Sequence, residues 1–478
     1  MLSSSSILNR RDLLTAGALF LVNPYLSWPV AAAAQPKRVI VAGAGLAGLS
    51  CAWELTKRGH DVIVLEASNR TGGHVRTIRE RFPDHLYADC GAEHFTYPGY
   101  ELCYQYAKEF GLTLLPYPHR DNQMVLMDGR MVSEEEAARL RLSRNQYSPK
   151  ERRFLQSHPG ASLTQLYLDR YGDKITDEYK PFGVGLDSLD YLSLSELLKR
   201  DGASAAAADE IGSDSSALHV IWKRRIVQMR RIPEEPKIFF RVKGGNQNLP
   251  DAIAQRLGQR IRKNAPVTAI RRGDAGVAVT IRSAGKLEQV EGDFLVCAMN
   301  AVMLSRIAVS PPWREAKQFA ISHMPYTVES RPIFQSRTKF WRRDGLSGNL
   351  QFNSPILGPL WPTAEEVKTE RGILIGTSNP GVTTEQVVTL FRRYYPGASA
   401  DIDRVLIVDW SRDPWAMACE ARDYQPGQLH KFWPAVIEPL GRVYFAGAYC
   451  DNQSWGMEAA TRSAVRAARA IHEVGTHE

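Results

Sequence analysis

The chain has 478 residues, 44% of them hydrophobic, with a formal net charge of +8 and six cysteines. That length buries a sizeable core and suggests two or three domains, which excludes a disordered chain and a small disulfide-stapled scaffold. The charge is modest for the size and accompanies no nucleic-acid-binding module, and no apolar run reaches the roughly eighteen residues of a spanning helix, so neither nucleic acid nor a transmembrane segment is expected.

At the N-terminus, Arg10 and Arg11 precede a short apolar stretch, and the small residues around Ala33 and Ala34 offer cleavage sites. This is the pattern of a twin-arginine export signal, so residues 1–34 are expected to direct the chain to the periplasm or beyond. In an oxidising compartment disulfides among Cys51, Cys90, Cys103, Cys297, Cys419 and Cys450 are allowed but not assignable, and their spacing suggests no metal site.

Arg38 to Ala42 is a β-branched apolar run that reads as a buried parallel strand, Leu46 to Arg58 as the helix after it, and Asp61 to Leu65 as the next strand. Between the first two, Gly43 permits a tight turn, Gly45 lets a diphosphate approach the backbone, and Gly48 lets the helix pack close on the strand. The free N–H groups at the helix start then face the phosphates. Glu66, at the carboxyl end of the second strand, is placed to accept ribose hydroxyls, and the small residues Ala47 and Ala67 complete the expected contacts. Strand, glycines, helix, strand and acid in register define a dinucleotide site. The segment "NRTGGHVRT" then adds Arg70, Gly72, Gly73 and His74. A flavin dinucleotide, extended across the sheet, needs such a second backbone approach and a nearby cation, whereas a nicotinamide does not.

Farther along, Tyr100 to Gly111 has helical spacing, and Ser133 to about Arg231 is polar and helical, with an Ala-rich loop expected near Ala203 to Ala208 and a solvated helix face at Lys223 to Arg231. Short strands flanking a helix return between Val242 and Ile281, and "GDFLVCAMN" is another apolar strand. The fold class is α/β: a Rossmann-like dinucleotide-binding domain from residues 35–100, 236–300 and 405–474, with an inserted α+β substrate-side domain from 101–235 and 301–404.

The N-terminal glycine motifs, "LVCAMN", "KFWRRDG", "WSRDPW" and the closing "GRVYFAGAYCDNQSWGMEAATRSAVRAARAI" together resemble the flavin-containing amine oxidase superfamily, which includes monoamine, polyamine and L-amino acid oxidases. The resemblance implies FAD as cofactor, a small-molecule amine that gives hydride from its α-carbon to flavin N5, and O2 or another acceptor that reoxidises the flavin, with O2 yielding H2O2. It places a strand with Val267 beside the adenine, Gly447 and Ala448 at the turn below the ring, and the Met457 backbone as a donor to the ring from the start of the final helix. Oligomeric state is left open.

Several positions depart from the family's pattern. His74 stands where arginine is usual, with Arg76 two residues on as a substitute, and Ala448 stands where glutamate is usual. Arg331 falls where many members hold a lysine that positions water near N5. A register with monoamine oxidases sets Cys419 on their flavin-linked cysteine, and Glu420 and Gly456 on the two tyrosines of the amine cage, with Trp455 adjacent. Glu420 would attract an ammonium, which favours diamines. Glu93 and His94 occupy the place from which amino-acid oxidases present a carboxylate-reading arginine, so free amino acids are disfavoured unless Arg331 takes that role. Arg331, Glu420 and Trp455 are thus the candidate catalytic residues. The alternatives are an FAD-dependent desaturase or dehydrogenase of an apolar, isoprenoid-like substrate, an L-amino acid oxidase, and a flavoprotein kept for binding or assembly.

Overall fold

The computed structural model describes residues 35–117, 122–127, 130–143, 146–233, 238–343, 346–351 and 354–477. The expected export signal lies outside the described residues.

Strand β1 (Arg38–Ala42) is at the centre of a five-stranded sheet. On one side of it lie Phe294–Cys297 and then Val443–Phe445; on the other lie β2 (Asp61–Leu65) and Ile261–Arg262, and every pairing is parallel. Strand residues alternate between two cores, as strand geometry requires. Val39 and Val41 pack with Leu49 and Leu55 of helix α1 (Leu46–Lys57) and with Ala464, Ala468 and Ile471 of the final helix, Gly456–His477. Ile40 and Ala42 pack the other way, in a core shared with Ile270, Val279 and Ile281 of a four-stranded sheet. Burial on both faces explains why β1 reads as an unbroken apolar run. The carboxyl ends of β1, β2 and Phe294–Cys297 point to one crevice, where α1 and the final helix also begin.

The substrate side combines a seven-stranded, mainly antiparallel sheet with a helical cluster. The sheet includes Ser330–Ser336 and Ile402–Asp409, so it takes residues as far as 409, and the dinucleotide side keeps the strand Ala308–Ser310. Both differences move a boundary by a few residues, because strand pairing and not composition decides where a domain ends.

Two local expectations are corrected. The Ala-rich stretch is no loop: Ala205–Ile211 is a helix whose Ser204 Oγ accepts from the Ala207 N–H, as alanine's helix propensity favours. The basic cluster is not a solvated face either. It ends the helix Ala217–Met229, and three of its arginines are held in ion pairs, Arg224 with Asp169 (2.5 Å), Arg225 with Asp173 (3.2 Å) and Arg230 with Glu178 (2.7 Å). All six cysteines are free thiols, and only Cys419 is not fully buried.

Candidate active site

The crevice is a cavity of about 510 Å3 that follows the predicted motif. Its lining includes Gly43, Gly45, Ala47, Glu66, Ala67, Arg70, Gly73, His74, Val267, Gly447, Ala448 and Met457. Gly43 has φ 112°, and a Cβ there would meet the Ala298 carbonyl oxygen at 2.9 Å, so the turn itself demands glycine. Gly48 does not line the cavity. A Cβ on it would lie 1.9 Å from the Gly43 carbonyl oxygen, and its role is to let α1 close on the turn. Gly45 differs from both, because a Cβ there meets only Gly73 Cα, at 3.8 Å. The fold places no demand for glycine at Gly45; the open space beside it does.

Glu66 is held by the first glycine turn and by the chain two residues after it. Its Oε2 accepts from the Ala44 N–H at 2.7 Å and its Oε1 from the Ser68 N–H at 2.8 Å, which fixes a carboxylate with acceptor capacity to spare at the cavity wall. Gly72 N–H donates to the Ala44 carbonyl at 2.8 Å and ties the two glycine turns together. Arg70 pairs with Asp413 at 3.5 Å. His74 carries no charge: burial, with Arg331 and Arg70 nearby, pushes its pKa down to about 3, and it stacks on Trp410 with centroids 4.0 Å apart. Arg76 is not among the lining residues, so it does not replace the missing arginine. The lining cations are Arg70, Arg282 and Arg306. Arg282 and Arg306 were not legible in the sequence, although Arg282 is brought in by its strand, which bonds the Pro266 carbonyl just ahead of Val267.

These features fit FAD. Two glycine turns, a fixed acid, the half-buried Arg70 and the open space at Gly45 suit its ribose and diphosphate, while the start of the final helix, with Gly456 and Met457 in the lining, suits the ring.

At that end Cys419 and Glu420 also line the cavity, beside Gly456. Glu420 is open to the cavity and otherwise enclosed by protein; this enclosure raises its carboxyl pKa, while Arg331 and a hydrogen bond from the Gly456 N–H act to lower it. The Cys419 thiol is pushed up to about 11 by burial, and its Sγ accepts from the Glu329 N–H at 3.4 Å. Arg331 is not in this lining. Its guanidinium is held behind the wall, 3.4 Å from Glu329 and over the Trp361 ring at 5.7 Å, in the field of Glu93, Glu329 and Glu420. Glu93 Oε2 accepts from Trp361 Nε1 at 2.6 Å.

A second cavity, of about 310 Å3, lies across this wall. The extended segment 92–94 puts Ala92 in the first lining and His94 in the second, and the start of the final helix puts Gly456 and Met457 in the first while the segment just before it puts Gln453 and Trp455 in the second. Trp455 therefore does not share Glu420's cavity. It faces the other, with Lys223 Nζ 4.6 Å from its ring centroid.

A parallel dinucleotide-binding sheet, a crevice whose lining suits FAD and a separate cavity across the helix start define a flavoprotein oxidoreductase. The family model for flavin containing amine oxidoreductases matches residues 46–472, and the chain belongs to that family. It is 27% identical to an L-amino-acid oxidase of Pseudechis australis over 474 residues, covering 92% of this chain and 87% of that one. It is likewise 27% identical to one of Crotalus adamanteus over 465 residues, covering 92% and 88%. Among solved structures it resembles the cyclohexylamine oxidase of Brevibacterium oxydans (TM-score 0.74, 21% identity, 92% and 99% covered). It also resembles putrescine oxidase bound to putrescine (TM-score 0.72, 22% identity, 91% and 99% covered). The protein is an FAD-dependent oxidoreductase of the amine oxidase type.

Proposed function

We propose that the protein oxidises primary amines in preference to free α-amino acids. The observation that carries this reading is the acid surplus at the wall between the two cavities. Glu93, Glu329 and Glu420 all act on the single guanidinium of Arg331, which pairs with Glu329. Such a wall attracts an ammonium and repels a carboxylate. Bound FAD supplies the hydride acceptor, and O2 then takes the electrons to give H2O2.

The chain's own residues do the rest. Glu420, with its proton affinity raised by enclosure, accepts a proton from the arriving ammonium, because only the neutral amine has the lone pair that the reaction needs. Arg331 steadies Glu420 at the lining, with Glu93 and Glu329 behind it. Trp455 and Tyr100 form an aromatic edge of the second cavity, next to the start of the final helix. The N–H groups of that helix start stabilise negative charge beside it.

We further propose that residues 1–34 carry the chain out of the cytoplasm, supported by Arg10, Arg11, the apolar stretch and the alanines before residue 35. The test of the catalytic reading is peroxide release with primary alkylamines against the matching α-amino acids. Preference for the amines supports the proposal. Preference for amino acids would assign Arg331 to the substrate carboxylate and overturn it.

A further inference from the structure

The second cavity has a polar character that amine chemistry alone does not require. No Asp, Glu, Lys or Arg is among the described residues that line it, yet four amide side chains are: Gln123, Asn349, Gln351 and Gln453.

Gln453 is the informative one. It is fully buried, and its Oε1 accepts from Arg230 at 3.2 Å. Arg230 is itself fixed by Glu178, at 2.7 and 3.2 Å. A guanidinium can only donate, so this bond settles which way the amide is turned, with the oxygen on Arg230 and the NH2 away from it. The Nε2 so placed has no hydrogen-bond partner among the described residues. A buried donor left without an acceptor costs about 1–3 kcal/mol, and such a donor in a cavity wall points to a ligand that supplies the acceptor. Gln123 lines the same cavity and has the complementary lack: its Nε2 donates to Gln351 at 3.4 Å while its Oε1 has no partner.

Charge settles which ligands are disfavoured. Behind the lining stand Lys223, over Trp455, and Arg230, on Gln453. A second ammonium finds no carboxylate in the lining, and the acids behind it are already taken up by cations, Asp423 by Lys223 at 2.6 Å and Glu178 by Arg230 at 2.7 Å. The diamine preference expected from Glu420 is therefore not favoured, since Glu420 faces the cofactor cavity.

We propose that the second cavity is a subsite for the tail of the amine substrate, and that it selects a neutral carboxamide, whose carbonyl accepts from Gln453 Nε2 and whose N–H donates to Gln123 Oε1. This rests on the amine-oxidising reading above.

The test uses the FAD-loaded enzyme and a homologous series of ω-amino carboxamides. Each is compared with the branched alkylamine in which an isopropyl group replaces the carboxamide, with the diamine of the same length, and with the ω-amino acid. At the best length the carboxamide should exceed the isosteric alkylamine in kcat/KM by about tenfold or more, the scale of one or two hydrogen bonds made in a dry site. Gln453→Met should collapse that ratio towards one. Gln123→Met, on the other partner, gives the same readout should the first variant not fold. Calorimetric binding of the matching simple carboxamides, which carry no amine, reads the subsite without turnover and should weaken in the same variants. Equal rates for carboxamide and alkylamine, or a preference for the diamine or the amino acid, would overturn this inference while leaving amine oxidation standing. Failure of every amine to reduce the flavin would overturn both.

Discussion

Gly45 and Gly48 lie three residues apart in one motif, and the structure predicts that they fail in opposite ways. Gly45 has φ −68° and ψ 175°, a backbone that any residue adopts, and an added Cβ meets nothing nearer than Gly73 Cα at 3.8 Å. In the FAD-free protein Gly45→Ala should be neutral or stabilising by about 0.4–1 kcal/mol, because alanine restricts the unfolded chain. The new methyl group projects where a diphosphate must approach, and overpacking of about 1–3 kcal/mol translates to roughly fivefold to 150-fold weaker FAD binding. Gly48→Ala is the reverse case. Its Cβ falls 1.9 Å from the Gly43 carbonyl oxygen, so α1 must shift at a cost of about 1–3 kcal/mol or more, against about 1 kcal/mol gained in helix propensity. Thermal unfolding of the FAD-free proteins and titration with FAD, followed by quenching of flavin fluorescence, separate the two effects. A Gly45→Ala protein that unfolds early yet binds FAD normally would refute the reasoning. So would a fully stable Gly48→Ala protein.

Glu458 is 2% exposed, caps α2 (Glu101–Glu109) through the N–H groups of Leu102 and Cys103, and has its pKa raised by burial to about 7. A raised folded-state pKa contributes stability that is present below the unfolded value near 4.5 and lost as pH rises through about 7, a change of roughly 3 kcal/mol. Glu458→Gln should accordingly raise Tm more at about pH 8 than at about pH 5, and equal shifts at both would show that the carboxyl is not held protonated. Burial keeps the Cys419 thiol protonated, so acid precipitation should release the flavin to the supernatant; colour that stays with the chain, and leaves it in Cys419→Ser, would establish a thioether. Replacing Arg10 and Arg11 together by lysine should retain the full-length chain in the cytoplasm, as cell fractionation would show, and continued export would contradict the signal read there.

Much of the cofactor site was legible because it is local. The turn after β1, the acid after β2 and the second glycine turn each belong to a short segment whose spacing is fixed by strand and helix geometry. Gly48 has the packing role its place in the motif implies, close against the Gly43 carbonyl and outside the cofactor cavity's lining. The final helix was legible as well, from its small residues and from Met457 at its start. What escaped depends on contacts distant in the chain. Arg282 and Arg306 reach the cavity from a strand and a turn of the four-stranded sheet, and Arg331 is buried behind the wall by strand pairing with Ile402–Asp409. Neither the alternation of Ala92 and His94 across that wall nor the orientation of Gln453 follows from local pattern. The basic cluster misled for the same reason, since its acidic partners Asp169 and Glu178 lie far from it in sequence.

The central claim is that an amine reduces a flavin held in this crevice. Its most direct test is anaerobic mixing of the yellow, FAD-loaded protein with primary amines, ω-amino carboxamides, α-amino acids and isoprenoid lipids, followed by admission of O2. Loss of the oxidised flavin spectrum with the amines, together with peroxide on reoxidation, is the predicted result. A flavin bleached by α-amino acids or by an isoprenoid lipid but by none of the amines would contradict the account.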